Sequence, residues 1–497
     1  MRSTVGLDNN SVGWRSQGTP ALLTELPLKT GERKPMKPSL CVPSHFFWAV
    51  CLTAVSLRAS FAQVPTSPEN LARTPAPLAS PTTKVTAAAV TATPSPTPNQ
   101  LGNLNFRVKN LSRNAPRREN LTGVNVGVKY VNGLVGGLDQ GAGFPAGVEF
   151  TTADAIPGVE LRARAILSTR LYRKFEAGAF FPKIGSEKTQ AEIWYAYQRR
   201  IRDRFFGLGA RTPESSQTNY DLEQRSFNAT LSHKPIRQLE VGGYFRAFDA
   251  STYTGKNKKE PAIETLFSGS PSVVPLTRYV PGLFFNARSN NVKVAGGGAY
   301  AEYDARDDEH GLTQGGYFYG RAGAYDSFDI NPIALTDYGW TEVELDGRGY
   351  IPLGSRKTSL ALRAFADLRD PKSGKQVPIY EMPWLGGRSH LRGYQNFRFR
   401  GNNLLLLVGE LRQTVWAQKE TRGIDAFAFV DNGKIWGDSR SATNPLILRN
   451  DKFGDQPLRV QPGFGVQYRY NKGFGARLDF AKSNERTMVY FSVSRGF

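Results

Sequence analysis

The chain has 497 residues, a net charge of +21 at pH 7, 50 glycines, 30 phenylalanines, 20 tyrosines and only two cysteines, with a mean hydropathy of −0.40. That polarity, with no run of about 18 apolar residues, excludes a helical membrane protein and fits a membrane β-barrel, in which only alternate residues meet lipid. The basic residues are scattered singly, so the charge suits hydrated walls and loops facing anionic head groups and argues for no nucleic-acid partner.

Residues 1–62 read as an N-terminal extension and export signal, the signal proper spanning 36–62. Met36-Lys37 opens it, residues 46–57 (FFWAVCLTAVSL) form an apolar core too short to span a bilayer, and Ser60-Phe61-Ala62 fits a small-x-small cleavage site. Cys41 and Cys51 both fall inside this segment. The chain beyond it therefore offers no disulfide, no thiolate metal site and no cysteine nucleophile. Residues 63–120 start with a long run of Pro, Thr, Ala and Ser that cannot bury enough apolar surface to fold, which predicts a disordered tether.

Residues 121–497 carry segments of roughly ten residues that alternate with period two, separated by Gly, Pro, Asn and Asp clusters. Val159, Leu161, Ala163, Ala165 and Leu167, for example, stand opposite Glu160, Arg162 and Arg164. The spacing predicts strands near 123–130, 159–167, 171–181, 190–200, 224–233, 238–249, 278–287, 291–303 and 315–328. Further strands follow near 338–348, 358–369, 403–413, 424–432, 461–470, 473–481 and 488–497. The expected fold is all-β, a 16-stranded antiparallel transmembrane β-barrel with a disordered N-terminal segment. Pro271, Pro275 and Pro281 weaken the strand near 278–287.

In the last segment Val489, Phe491, Val493 and Phe497 share one parity, and Ser492, Ser494 and Gly496 the other. Strand side chains alternate faces, so the first set makes an apolar wall and the second a small, polar one. An unpaired apolar terminal strand is an aggregation edge that barrel closure removes. Phe491, Val493 and Phe497 are thus the expected closure signal.

No catalytic, cofactor or metal site stands out. His45, His233, His310 and His390 are not at ligand spacing. His310, beside Asp307, Asp308 and Glu309, is the one cluster that suggests an outer-membrane hydrolase, and a flexible hydrated loop accounts for it far better. Asp304, Arg306 and Asp307 read as structural charges at a strand end.

One ordered set of motifs remains. Gly386-Gly387-Arg388-Ser389-His390-Leu391-Arg392-Gly393-Tyr394 lies in a long segment that ends in Arg398-Phe399-Arg400-Gly401. Glu410-Leu411-Arg412 follows on one alternating strand and Phe429-Val430-Asp431-Asn432-Gly433 on the next. Upstream lie Tyr303-Asp304-Ala305-Arg306-Asp307-Asp308 and Phe205-Phe206-Gly207-Leu208-Gly209 with Thr212, Pro213 and Tyr220. The order resembles the outer-membrane assembly-factor superfamily typified by BamA and TamA, the bacterial surface antigen type, over residues 120–497.

The resemblance implies a barrel in the bacterial outer membrane whose long loop folds inward. Arg392 would be the tip arginine, Asp431 its partner, and Glu410 a second acid. An arginine fork can bind carboxylates bidentately and pin a loop in one register. Gly393 would let the tip turn sharply, and Tyr394 would pack while bonding through its hydroxyl. The implied function is non-enzymatic: assembly, insertion or transport at that membrane by a monomeric barrel. Its partners would be outer-membrane lipid and nascent outer-membrane proteins or a periplasmic accessory protein. The alternative is a passive channel or structural barrel. Family members that insert proteins carry compact periplasmic repeat domains ahead of the barrel, and residues 63–120 have no room for one.

Overall fold

The computed structural model describes residues 108–110, 121–125 and 130–492, save for 137, 139–141, 153–155, 258, 268–291, 307–313, 330–336, 420–421, 438–451 and 470–474. The expected export signal, the tether except 108–110, the strand near 278–287, and Asp307, Asp308, His310, Val493 and Phe497 lie outside those residues.

Period-two alternation becomes strand almost throughout. The first strands are β1 (Val108–Asn110), β2 (Leu121–Asn125), β3 (Val131–Gly136), β4 (Pro145–Thr151), β5 (Glu160–Ser168), β6 (Arg173–Phe181) and β7 (Thr189–Phe205). Next come β8 (Thr218–Ile236), β9 (Leu239–Thr254), β10 (Val292–Asp304), β11 (Gly315–Asp329), β12 (Asp337–Leu353) and β13 (Ser355–Pro371). Three two-residue strands follow, β14 (Lys375–Gln376), β15 (Trp384–Leu385) and β16 (Phe399–Arg400). The chain continues with β17 (Asn403–Lys419), β18 (Arg422–Trp436), β19 (Arg459–Arg469), β20 (Gly475–Lys482) and β21 (Thr487–Ser492).

One 19-stranded sheet holds all of these except β15 and β16, which pair with each other. From β1 to β13 each strand pairs antiparallel with the next, β13 pairs with β17, and the meander runs on to β21. β14 alone pairs parallel, with the start of β12. Three differences from the sequence reading stand out. β1 falls within the expected tether and pairs with β2. β3 and β4 are strands where none was expected; β4 opens on Pro145, which at the first position of a strand removes no ladder bond from its interior.

The two faces of the sheet invert the pattern of a soluble protein. On β12, Val343, Leu345 and Ile351 are exposed while Trp340, Glu342, Asp346 and Tyr350 are buried. On β18, Ile424 and Val430 are exposed and Asp425, Phe427, Phe429 and Asp431 buried. Buried charge needs a partner, and the strands supply one two residues along or directly across. Arg164 on β5 reaches Glu149, its register partner on β4, at 2.6 Å. Asp346 is shared by Arg348 at 2.8 Å and Arg363 at 3.1 Å.

The segment between β13 and β17 lies against this buried face. Val377, Ile379, Tyr380 and Met382 join the aromatic cluster of Tyr244, Tyr300, Tyr325 and Trp340. Further along, Leu385, Leu391, Tyr394 and Phe399 pack with Phe365, Leu404, Leu406 and Ile435. Burial of these apolar side chains away from water stabilises the seating of the segment.

Candidate functional site

The segment turns on two glycines. Gly386 and Gly387 have φ of 105° and 98°, a region in which an L side chain is strained. The β15–β16 pairing closes a lobe whose tip carries Leu391, fully buried among the β17 leucines. That packing delivers Arg392 to the wall.

Arg392 is buried against three acids on three strands. Its Nε and Nη2 donate to Asp431 Oδ2 and Oδ1 on β18 at 2.9 and 2.6 Å, and its backbone N–H donates to Oδ2 at 3.0 Å. Its Nη1 reaches Asp479 Oδ1 on β20 at 3.0 Å and Glu410 Oε2 on β17 at 3.2 Å. The guanidinium also lies 3.2 Å from the centroid of the Phe429 ring. Arg477 on β20 donates to both Glu410 oxygens, at 3.0 and 2.7 Å, and to Asp479. Arg412 adds a 2.6 Å bond to Glu410 Oε1. Three arginines and three carboxylates thus interlock: Glu410 is shared by all three arginines and Asp479 by Arg392 and Arg477, while Arg392 holds both oxygens of Asp431. A network of this kind holds position, since all three acids already accept hydrogen bonds from arginine.

The structure brings together all three charged residues singled out from the sequence, Arg392, Asp431 and Glu410. It gives Gly393 a different reason for being glycine. Gly393 is not among the residues of positive φ; its N–H donates to Gln461 Oε1 at 2.6 Å, and a Cβ would meet that same oxygen at 2.5 Å. Close approach, not a sharp turn, excludes a side chain there. Tyr394 packs edge-on against Phe399 and donates its hydroxyl to Asn484 Oδ1 at 2.6 Å. Tyr490 on β21 donates in turn to the Tyr394 carbonyl at 2.8 Å.

Sequence reasoning missed several residues that complete the site. Asp479 and Arg477 sit on β20 with no motif around them; their i, i+2 opposite charges on one strand face are the available signal. Arg398 clamps Glu485, in the β20–β21 turn, at 2.7 and 2.8 Å, bonds the Thr212 carbonyl at 2.7 Å, and stacks on Phe206 and Phe399. Gly209 N–H donates to the Arg400 carbonyl at 2.7 Å, with Gly207 and Gly209 at φ of 99° and 91°. The aromatic-glycine turn after β7 is thus a seat for the end of the inserted segment. Asp304 and Arg306 form a local ion pair at 2.6 Å.

At the other end of the segment Glu381 accepts from Arg246 at 2.9 and 3.0 Å, Gln224 at 3.2 Å and Arg369 at 3.3 Å. Burial favours its neutral form, but the charge and hydrogen bonds of Arg246, with the charge of Arg369, outweigh that and hold its carboxyl down at about 2. His390 packs between Phe365 and Trp384. Burial, reinforced by the Arg363 charge, pushes its imidazole down to about 3, so it is neutral near pH 7. Among the described residues no group of three or more His, Cys, Asp or Glu is placed to hold a metal ion.

Of the expected closure residues, Phe491 is 67% exposed on β21, as is Val489 at 54%, while Ser492 is buried.

Comparisons with known proteins bear on the family and the fold. The model of the Omp85 superfamily domain matches residues 158–497. No curated protein matches the chain. Among solved structures, BamA from Haemophilus ducreyi lacking POTRA domains 1–3 superposes with a TM-score of 0.54 at 16% identity, covering 80% of this chain and 77% of that one. CdiB from Escherichia coli gives 0.47 at 14% identity, covering 78% and 69%.

Proposed function

The chain belongs to the Omp85 superfamily and is a bacterial outer-membrane β-barrel, and from that premise we propose that it serves assembly, insertion or transport at that membrane, as a monomeric, non-enzymatic barrel plugged by its own inserted segment. The sixteen strands we assign to the barrel are β3 to β13 and β17 to β21, with β1 and β2 extending the β3 edge. In this reading 36–62 is the export signal, 63–120 the tether, whose β1 joins the sheet, and 121–497 the barrel region. The buried face becomes the interior, the exposed apolar face meets outer-membrane lipid, and the seam lies at β21, beside the β1–β2 extension of the sheet. Nascent outer-membrane proteins or a periplasmic accessory protein are the partners proposed.

The single observation that carries the reading is Arg392, buried on the segment and shared among Asp431, Asp479 and Glu410 on three wall strands. Such an arrangement fixes one register of segment against wall. Its neighbours Tyr394 and Arg398 tie the same lobe to Tyr490, Asn484 and Glu485 on the terminal hairpin, where the seam is assigned. Movement of that hairpin and movement of the plug are therefore mechanically joined.

Depletion of the protein followed by quantitative proteomics of the outer membrane tests the proposal. Loss of a defined set of barrel proteins or of a transported product is the expected result. An unchanged proteome, together with steady conductance of the purified protein in planar bilayers, would identify a passive channel instead.

A further inference from the structure

Resting on the reading of the inserted segment as a plug, we propose that Glu381 is a second latch of opposite polarity, a positioning residue that holds the first half of the segment and releases independently of the Arg392 tip.

The two anchors differ in sign. At the tip a segment arginine meets wall carboxylates; at Glu381 a segment carboxylate meets the wall arginines Arg246 and Arg369. They also use different walls. Arg392 engages β17, β18 and β20, whereas Glu381 engages β9 through Arg246, β13 through Arg369 and β8 through Gln224. A shift of the terminal hairpin thus pulls on one anchor and leaves the other in place.

Local structure separates them as well. Glu381 and Met382 donate their N–H groups back to the Pro378 carbonyl at 2.9 and 3.2 Å, a closed turn of its own. The β15–β16 pairing then stands between that turn and the 386–398 lobe, with Arg400 of β16 as the link, its Nη1 donating to the Ile379 carbonyl at 2.6 Å and its guanidinium stacked on Phe397. Each body has its own apolar seat, the tyrosine-rich cluster for the turn and the leucine-rich cluster for the lobe. Arg246 is further oriented by its stacking on Phe248 at 4.4 Å.

Hydrogen exchange read by mass spectrometry on the full-length protein in detergent tests this, with Glu381→Gln and Arg392→Ala compared side by side. A charge-assisted bond lost to a neutral one in E381Q is expected to speed exchange through 376–383 by roughly tenfold or more while leaving 388–396 unchanged. R392A is expected to show the reverse pattern. Conductance in planar bilayers should rise in E381Q as the first half of the segment loosens. The charge-exchanged pair Glu381→Arg with Arg246→Glu should recover part of the protection that Glu381→Arg alone loses. Faster exchange through both stretches together in E381Q, or in neither, would overturn the independent latch. Unchanged exchange around 388–396 in R392A would instead overturn the plug reading itself, whatever Glu381 does.

Discussion

Arg392 and Asp431 meet in a two-point contact, Nε to Oδ2 at 2.9 Å and Nη2 to Oδ1 at 2.6 Å, across 39 positions of sequence. A buried pair of this kind loses more when halved than when removed, because one uncompensated charge remains. Arg392→Ala and Asp431→Ala are each expected to cost about 3–5 kcal/mol. The double variant should cost clearly less than the sum, with a coupling on the order of 1–3 kcal/mol. Asp479→Ala should couple to Arg392 more weakly, through its single contact. Glu410→Ala should couple more strongly to Arg477, which binds both its oxygens, than to Arg392. Unfolding rates in detergent at a fixed temperature measure the cycle, and additive effects would show that the contact holds nothing.

The tip offers two finer substitutions. Gly393→Ala forces the Gln461 amide aside and breaks its bond from the Gly393 N–H, so a loss of about 1–2 kcal/mol is expected. Gln461→Ala should remove most of that penalty by making room for the methyl group. Tyr394→Phe keeps the packing on Phe399 and deletes the bond to Asn484, for about 0.5–1.5 kcal/mol. If Gly393→Ala cost the same with and without Gln461, backbone conformation and not the close approach would be its cause.

Glu381 carries a pH signature. Its carboxyl lies near 2 in the folded protein, below its ordinary value of 4.5. A depressed carboxyl contributes stability that is complete above the unfolded value and is lost as pH falls through the folded one. The advantage of the native protein over Glu381→Gln should therefore be full at pH 6 and shrink as pH drops from about 4.5 toward 2. Unfolding rates of the pair across that range give the difference directly. An advantage that survives unchanged to pH 2 would mean that the carboxylate charge is not what holds the turn.

The parts of this protein that were legible in its sequence are those with a local rule. Parity along β5 and β21 follows from the two-residue period, and the order of the segment's motifs brought out Arg392, Glu410 and Asp431 together. The reason for Gly393 was not legible, since Gln461 lies 68 positions away and only packing brings it close. Glu381 and Arg246 escaped for the same reason, 135 positions apart with no motif at either. Arg477 and Asp479 were within reach: opposite charges two apart on an alternating strand recur at Glu160–Arg162, Asp346–Arg348, Asp367–Arg369 and Glu410–Arg412. A buried wall that must satisfy its own charges produces that repeat, and it marks the inward parity better than hydropathy does.

The same parity makes the terminal strand a test of which face meets lipid. Phe491 is exposed and pairs in register with Leu478, and its neighbours on that face include the stacked rings of Phe464 and Phe480. Ser492, one residue on, is buried and pairs in register with Arg477. An aspartate on the lipid face costs on the order of 2–3 kcal/mol near mid-membrane, whereas one beside Arg477 gains a cation. Phe491→Asp should therefore block integration into the outer membrane, and Ser492→Asp should leave it intact. If the proposed closure signal extends along the same parity, Val493→Asp and deletion of Phe497 belong with Phe491→Asp. Heat-modifiable, membrane-integrated protein measured for each variant decides the matter. Equal integration of Phe491→Asp and Ser492→Asp would mean that the two faces of the last strand are not lipid and interior, and the assignment of the whole sheet would have to be reversed or abandoned.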